Sequence, residues 1–334
     1  FGSYTTTIVL NKTTTVPIGG MVGYQWHVND SAGNFNSTIT RVFRVNGNPC
    51  GCPENTECTI SSPCVMDSTN CTDGVCNFNY LVINAAVSAN YSGTGTNDAE
   101  TVDILTVNDF NITSSGSLNF TGKDGNEAGG PFDGGAGGTV SVVANKVNIF
   151  GPIQARGGGL NCATPAQNTV GVGGTITLNS SNHILATKNI LADGGKEIGS
   201  GCDGHGANGG TITLNANTSI NTSKLDASGG DALYNAAEMN GGHGGTINIS
   251  AGTSINVSQL DLKGGIQGDT DTGKGGTLFI GNFTALLVKN ISLRGSSARD
   301  TGSASGTSGA GGNLYINGSG NITIDLINTS SGDG

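Results

Sequence analysis

Two stretches of the chain nearly repeat each other. Residues 209–230 read GGTITLNANTSINTSKLDASGG and residues 244–265 read GGTINISAGTSINVSQLDLKGG. The same opening, a Gly-Gly pair followed by Thr, recurs at Thr139, Thr175, Thr211, Thr246 and Thr277, and Asn313 takes the place of Thr in a last copy. Successive starts are 36, 36, 35, 31 and 36 residues apart. A period of this length restricts the chain to architectures that stack one small unit on the next. Asp103, 36 residues before Thr139, reads as the start of a degenerate first copy, which gives seven units between 103 and 334.

Inside each unit the apolar residues keep fixed offsets. Val140, Ile176, Ile212, Ile247, Leu278 and Leu314 follow the start; Val142, Leu178, Leu214, Ile249, Ile280 and Ile316 come two later. A third row is Val147, Ile184, Ile220, Ile255, Leu286 and Ile322, and a fourth is Ile153, Ile190, Leu225, Leu260, Ile291 and Ile327. Alternation with period two marks short strands rather than helices. Three short strands per unit describe one coil of a right-handed parallel β-helix, with equivalent residues stacked about 4.8 Å apart. One coil alone buries too little: its aliphatics supply roughly 10 kcal/mol, less than the entropy of ordering about 20 residues.

After the third strand each unit makes a Gly-rich excursion, such as GGDALYNAAEMNGGHGG. These excursions leave the stack on one side, where a repeat array often carries its contacts; the alternative is flexible filler. Cys162 and Cys202 fall in the excursions of consecutive coils. That spacing is within disulfide range, so a Cys162–Cys202 bond is expected.

Six further cysteines, Cys50, Cys52, Cys58, Cys64, Cys71 and Cys76, lie within 27 residues and have no nearby His. They read as a disulfide knot over 47–79, its connectivity one of 15, and place the chain outside the cytosol. Asn-X-Ser/Thr sequons begin at Asn11, Asn29, Asn36, Asn70, Asn90, Asn111, Asn119, Asn179, Asn217, Asn221, Asn248, Asn256, Asn282, Asn290, Asn317, Asn321 and Asn328. Composition predicts about half as many, and on an extracellular chain they are candidate N-glycosylation sites. The net charge of −10 excludes a nucleic-acid face, and no apolar run is long enough to span a membrane.

Residues 1–46 follow a different rule. GYQWHVNDSAGNFNSTITRVFRV sets Tyr24, Trp26 and Val28 on one face, turns at DSAGN, and returns with Ile39, Phe43 and Val45. This hairpin resembles the last two strands of the immunoglobulin-like repeats of bacterial and archaeal surface proteins. The resemblance implies a partial domain completed by missing residues or by a neighbouring subunit through β-augmentation. The chain begins at Phe1 and stops at NTSSGDG inside a coil, so it reads as a trimmed piece of a longer or assembled structure.

The coil pattern GGTITL…TSIN…KLDASGG resembles filamentous-haemagglutinin-like adhesins and, more closely, Gly-rich β-helical repeats of archaeal surface proteins. That resemblance covers residues 103–334 and implies stalks, filaments, surface layers or adhesins.

Parallel β-helices also include polysaccharide lyases and hydrolases, and glycoside hydrolysis needs at least two carboxylates within about 5–10 Å. Asp226 and Asp261 share an offset in consecutive coils, yet no basic residue is evident at that offset, and they read as solvated carboxylates before a turn. Gly-His-Gly around His205 and His243 resembles one polygalacturonase motif but lacks its companion motifs. Asp269 and Asp271 in GDTDTGKGG would be the place for calcium, without the nine-residue repeat of calcium rolls. Tyr234 and Phe132 are the aromatic candidates for a glycan-binding loop face.

The sequence therefore points to an all-β chain: immunoglobulin-like strands over 1–46, a cysteine-rich segment over 47–79 and a β-helix over 80–334. It predicts a glycosylated extracellular structural subunit, non-catalytic, without a cofactor, and polymerising with itself or other surface proteins. An adhesin is the first alternative and a polysaccharide-active enzyme the second.

Overall fold

The computed structural model describes residues 21–25, 27–29, 35–37, 39–44, 48–91, 98–126, 133–161, 169–197, 205–232, 240–266, 273–296 and 308–331. The chain is all-β, a parallel β-solenoid of about five regular turns. Their first strands are Thr139–Ala144, Thr175–Ser180, Thr211–Ala216, Thr246–Ala251 and Thr277–Gly281, paired in parallel and in chain order. The stack continues less regularly on both sides, through Val75–Phe78 and Val102–Thr106 before it and Asn313–Asn317 after it. The remaining strands of each turn form a second sheet. In its early turns these are two short pieces, such as Lys146–Ile149 and Ile153–Gln154; from Ser219–Asp226 onward they merge into one bent strand.

The pairing realises the four apolar rows. Val140 faces Ile176, which faces Ile212, Ile247 and Leu278 in turn. Ile153, Ile190, Leu225, Leu260 and Ile291 align in the same way. These residues are buried and belong to one core running from Cys52 to Leu293. Alternate residues face out and form polar ladders along the axis; Asn148 Nδ2 donates to Asn111 Oδ1 at 2.7 Å, and Asn215 Nδ2 to Asn179 Oδ1 at 2.9 Å. In the last described strand the same apolar positions, Ile322 and Ile327, are exposed.

One register differs from the sequence expectation. Asp103 pairs with Ser141, so the turn before Thr139 begins two residues earlier, with Val102 opposite Val140. A two-residue shift keeps every side chain on its own face, so alternation alone cannot choose between the registers.

The cysteine-rich segment is continuous with the solenoid. Glu57–Ile60 pairs in parallel with Tyr80–Ile83, and Cys64–Met66 with Ala86–Ala89. Cys58, Cys64 and Cys76 stand opposite Leu81, Val87 and Ile104, the positions of the inward rows. Their disulfide partners are Cys52, Cys50 and Cys71, in the pairs Cys52–Cys58, Cys50–Cys64 and Cys71–Cys76. Cys52, Cys71 and Cys76 are buried. Disulfides thus replace aliphatic side chains where the stack begins, and they cover an apolar end with little chain. The buried Glu54 carboxylate ties this lid together, accepting from the Thr72 and Asn77 backbone N–H groups at 3.1 Å and from the Thr72 hydroxyl.

Residues 21–44 form a separate antiparallel pairing. Met21–Tyr24 lies against Arg41–Arg44, and His27–Asn29 against Phe35–Ser37, in the nested register of a hairpin. Trp26, Val45 and the turn at 30–34 lie outside the described residues.

The stems of the Gly-rich excursions are ordered. The chain leaves each turn along an outgoing leg, for example 155–159, and comes back along a return leg, 169–174. Gly158 N–H donates to Gly135 O at 2.8 Å, Gly171 N–H to Gly158 O at 2.9 Å and Gly195 N–H to Gly171 O at 2.8 Å, so outgoing and return legs alternate along one ladder. Each leg also bonds its counterpart in the next turn: Gly157 to Asp193 O at 2.9 Å, and Gly173 to Asn208 O at 3.0 Å. Legs this close leave no room for a side chain. A Cβ on Gly171 would stand 1.7 Å from Gly135 O, and one on Gly230 1.7 Å from Gly195 O. The crowding that demands Gly at the collagen axis acts here in a sheet-like web. The stems are therefore structural, which corrects the reading of whole excursions as loops free for contact or as filler.

Candidate functional site

The outward face of the third strand concentrates the charged side chains. Lys224 and Asp226 flank the buried Leu225 in one strand, and Asp226 pairs with Asp261 of the next turn. The Lys224 ammonium reaches both carboxylates, at 2.9 Å to Asp226 and 3.0 Å to Asp261. Burial works against its charge, yet the two carboxylates hold Lys224 above its ordinary pKa. Gln259 Nε2 adds a 2.6 Å hydrogen bond to Asp261 Oδ2, and Lys263 Nζ lies 3.6 Å from Oδ1. Two turns earlier, Arg156 binds Asp193 through both Nε and Nη2 at 2.7–2.9 Å. That bond holds the guanidinium above its ordinary pKa despite burial.

This arrangement overturns the expectation for Asp226 and Asp261. Asp261 is 2% exposed, and both residues have a lysine partner. Lys224 was missed because it sits two residues before Asp226, not at its offset. In a strand, i and i+2 share a face, so Lys-Leu-Asp was the readable signal.

Next to Asp261 the surface opens into a cavity of about 400 Å³, lined among others by Lys263, Asn290, Ser292, Arg294, Ser296 and Asn328. Ile266 and Leu326, both more than half exposed, form apolar parts of its wall. Two of its buried polar atoms, Asp261 Oδ1 and Ser296 Oγ, have no hydrogen-bond partner.

No family model matches the chain, and no curated protein or solved structure matches it. The arrangement of the residues therefore carries the functional argument.

The other sequence candidates fall in several places. His205 Nδ1 accepts the Asn240 N–H at 2.9 Å and His243 Nδ1 the Lys274 N–H at 3.0 Å. Both imidazoles thus bridge successive turns within the excursion stems. Cys162, Cys202, Asp269, Asp271, Phe132 and Tyr234 lie outside the described residues, as does Asn11. Among the described residues no group of three or more His, Cys, Asp or Glu could hold a metal ion, and no helix is long and apolar enough to cross a membrane. Asn29 and Asn36 are described in backbone only. The other fourteen sequon asparagines are all exposed or half-buried, Asn221 and Asn321 on open strand faces and Asn217 in the corner between two strands among them.

As for chemistry, Asp226 and Asp261 are close enough for a paired-carboxylate mechanism. However, one ammonium donates to Oδ2 of both, and Asp226 Oδ1 accepts from the Ser228 N–H and hydroxyl.

Proposed function

We propose that the chain is a structural, non-catalytic subunit of an extracellular filament, sheath or surface layer. The observation that carries this reading is the single uninterrupted core from Cys52 to Leu293, cross-tied along its length by the glycine web. Such a body resists bending, because each turn is bonded to the next on the sheet faces and again through the excursion stems. Three disulfides fit an oxidising compartment, and the non-buried sequons fit glycosylation of the outer faces. In this reading seven repeating units follow residue 103, a Cys162–Cys202 bond staples two excursions, and the hairpin over 21–44 belongs to an immunoglobulin-like unit that pairs with a neighbouring subunit by strand addition. The resemblance to archaeal surface proteins supports the setting.

Electron microscopy of material taken directly from the native cell surface tests the proposal. Regular filaments or sheets, in which the strands over 21–44 are completed by a second subunit, are the expected result. Dispersed single molecules with a self-contained N-terminal unit would overturn it.

A further inference from the structure

Among the described residues the exposed aromatic side chains are Phe150, Phe279 and Tyr315. Two of them stand beside sequon asparagines. Tyr315, stacked on Phe279 with 4.8 Å between ring centres, is two residues before Asn317 and so shares its strand face. Phe150 lines a shallow hollow of about 470 Å³ together with Tyr80, Val82, Asn111, Thr113 and Ser114. Asn111 and Thr113 are the first and third residues of one sequon. The hollow is the better built of the two places.

It spans three successive turns. Tyr80 and Val82 share the outward face of strand Tyr80–Ile83, and Val82 stands opposite Asn111 of Asp109–Ile112. In the following turn Phe150 comes directly after Ile149, which pairs with Ile112, and the Phe150 N–H donates to Ile112 O at 2.7 Å. Asn111 therefore has one aromatic ring in the turn before it and another in the turn after it.

The Asn111 amide is held in place. Nδ2 donates to the Tyr80 hydroxyl oxygen at 2.8 Å, and Oδ1 accepts from Asn148 Nδ2 at 2.7 Å. Nδ2 carries two hydrogens, so linkage to a sugar replaces one and the other keeps the bond to Tyr80. Tyr80 accepts that bond and retains its own proton to donate. A sugar ring has hydroxyls around its rim and an apolar C–H face. Phe150 and Val82 supply apolar surface for the face, and Tyr80 and Ser114 supply hydroxyls for the rim. The volume lies within the ~300–1,000 Å³ range of small-ligand sites. A fixed amide also sets the direction in which the sugar starts, so less freedom is lost when the ring settles.

We infer that Asn111 carries an N-linked glycan whose first sugar is seated in this hollow, its C–H face against Phe150 and Val82 and one oxygen accepting from the Tyr80 hydroxyl. The seated ring bridges the turns of Tyr80, Asn111 and Phe150 from outside. This inference rests on the extracellular, glycosylated part of the reading above and not on filament formation.

The test uses the full chain secreted from a host that makes N-glycans, beside the same chain made without them. Intact-glycopeptide mass spectrometry reads occupancy, and Asn111 is expected to carry a glycan. Thr113→Val removes the sequon and leaves the Asn111 amide in place. Phe150→Ala removes one wall of the hollow at an exposed position, where the fold tolerates it. In the glycosylated protein Phe150→Ala lowers the melting temperature by about 2–4 °C more than it does in the Thr113→Val background, the size of one aromatic contact. In protein made without glycans that difference vanishes. A bare Asn111 beside other occupied sequons overturns this inference alone; bare sequons throughout overturn it together with the glycosylated reading. An occupied Asn111 with equal Phe150→Ala effects in both backgrounds also overturns it, because the sugar then stands free in solvent. So does a difference of the same size in the protein without glycans, because Phe150 and Thr113 then couple directly.

Discussion

Gly171→Ala is the most direct test of the glycine web. The substitution places a methyl 1.7 Å from Gly135 O and 2.4 Å from Gly135 C. A Cβ is essentially never found closer than 3.0 Å to such an atom, so the two legs must part by more than 1 Å. The Gly158-to-Gly135 and Gly171-to-Gly158 hydrogen bonds, now 2.8 and 2.9 Å, cannot survive that separation together. Losing one to two bonds at about 1 kcal/mol each, and straining a packed interior by about 1–3 kcal/mol, amounts to about 4 kcal/mol. At about 2–4 °C per kcal/mol for a chain of this size class, the melting temperature falls by roughly 8–16 °C. The control is Gly281→Ala, where the nearest atom, Asn317 O, is an ordinary 3.6 Å away. Reduced chain entropy there makes the change neutral or slightly stabilising, by up to about 1 kcal/mol. Far-UV circular dichroism during heating is the readout, because the sole tryptophan, Trp26, precedes every solenoid strand in the sequence. Were Gly171→Ala to melt within about 1 kcal/mol of Gly281→Ala, the close-packed stems would not be a feature of the molecule in solution.

Three further outcomes test other parts of the molecule. Cys50→Ser/Cys64→Ser removes the disulfide closing the longest described cysteine loop, 14 residues apart in sequence; it costs about 3 kcal/mol and makes the segment over 48–79 the first to be cut in limited proteolysis. Leu225→Ala empties a fully buried rung and costs about 2–5 kcal/mol, read as a lowered urea midpoint, whereas Leu287→Ala on the exposed face costs under about 1 kcal/mol. The third concerns pH. Burial and the neighbouring Asp67 carboxylate hold Glu100 above its ordinary pKa. Asp67 is held below its own, because hydrogen bonds from Thr69 and Asn90 outweigh burial. Stability therefore rises with pH as Asp67 ionises, up to its unfolded value near ~3.9. It falls again as pH climbs from ~4.3 through the raised value of Glu100. Glu100→Gln should abolish the falling limb and keep the rising one, seen in urea midpoints between about pH 3 and 7; an unchanged falling limb would assign it to another group.

The solenoid was legible because its evidence is local and repeated. Val140, Ile176, Ile212, Ile247 and Leu278 declare an inward row by position alone, and the observed register joins them in that order. Period-two patterning also showed which strand residues face out, sequon asparagines such as Asn111, Asn179 and Asn221 included. Patterning could not fix a two-residue slip, since both registers keep the faces intact; the pairing of Val102 with Val140 settled it. Nor could it show that Cys58, Cys64 and Cys76 occupy rungs of the same rows, because cysteine spacing reads as a framework of its own.

The charged face shows the same division. Asp226 and Asp261 were found by their offset, but the lysine between them belongs to a neighbouring position on the strand surface. Its reach across two turns is a fact of stacking, not of sequence distance. What the sequence by itself determined is the repeat, its three strands and its buried rows, because a stacked coil places like residues over like. What only the tertiary structure decided is why so many residues are glycine, how the stack is closed at its cysteine-rich end, and where buried oxygens remain unpaired. Those depend on how closely backbones from different turns approach, and the Gly135–Gly158–Gly171 ladder shows contacts that no single repeat encodes.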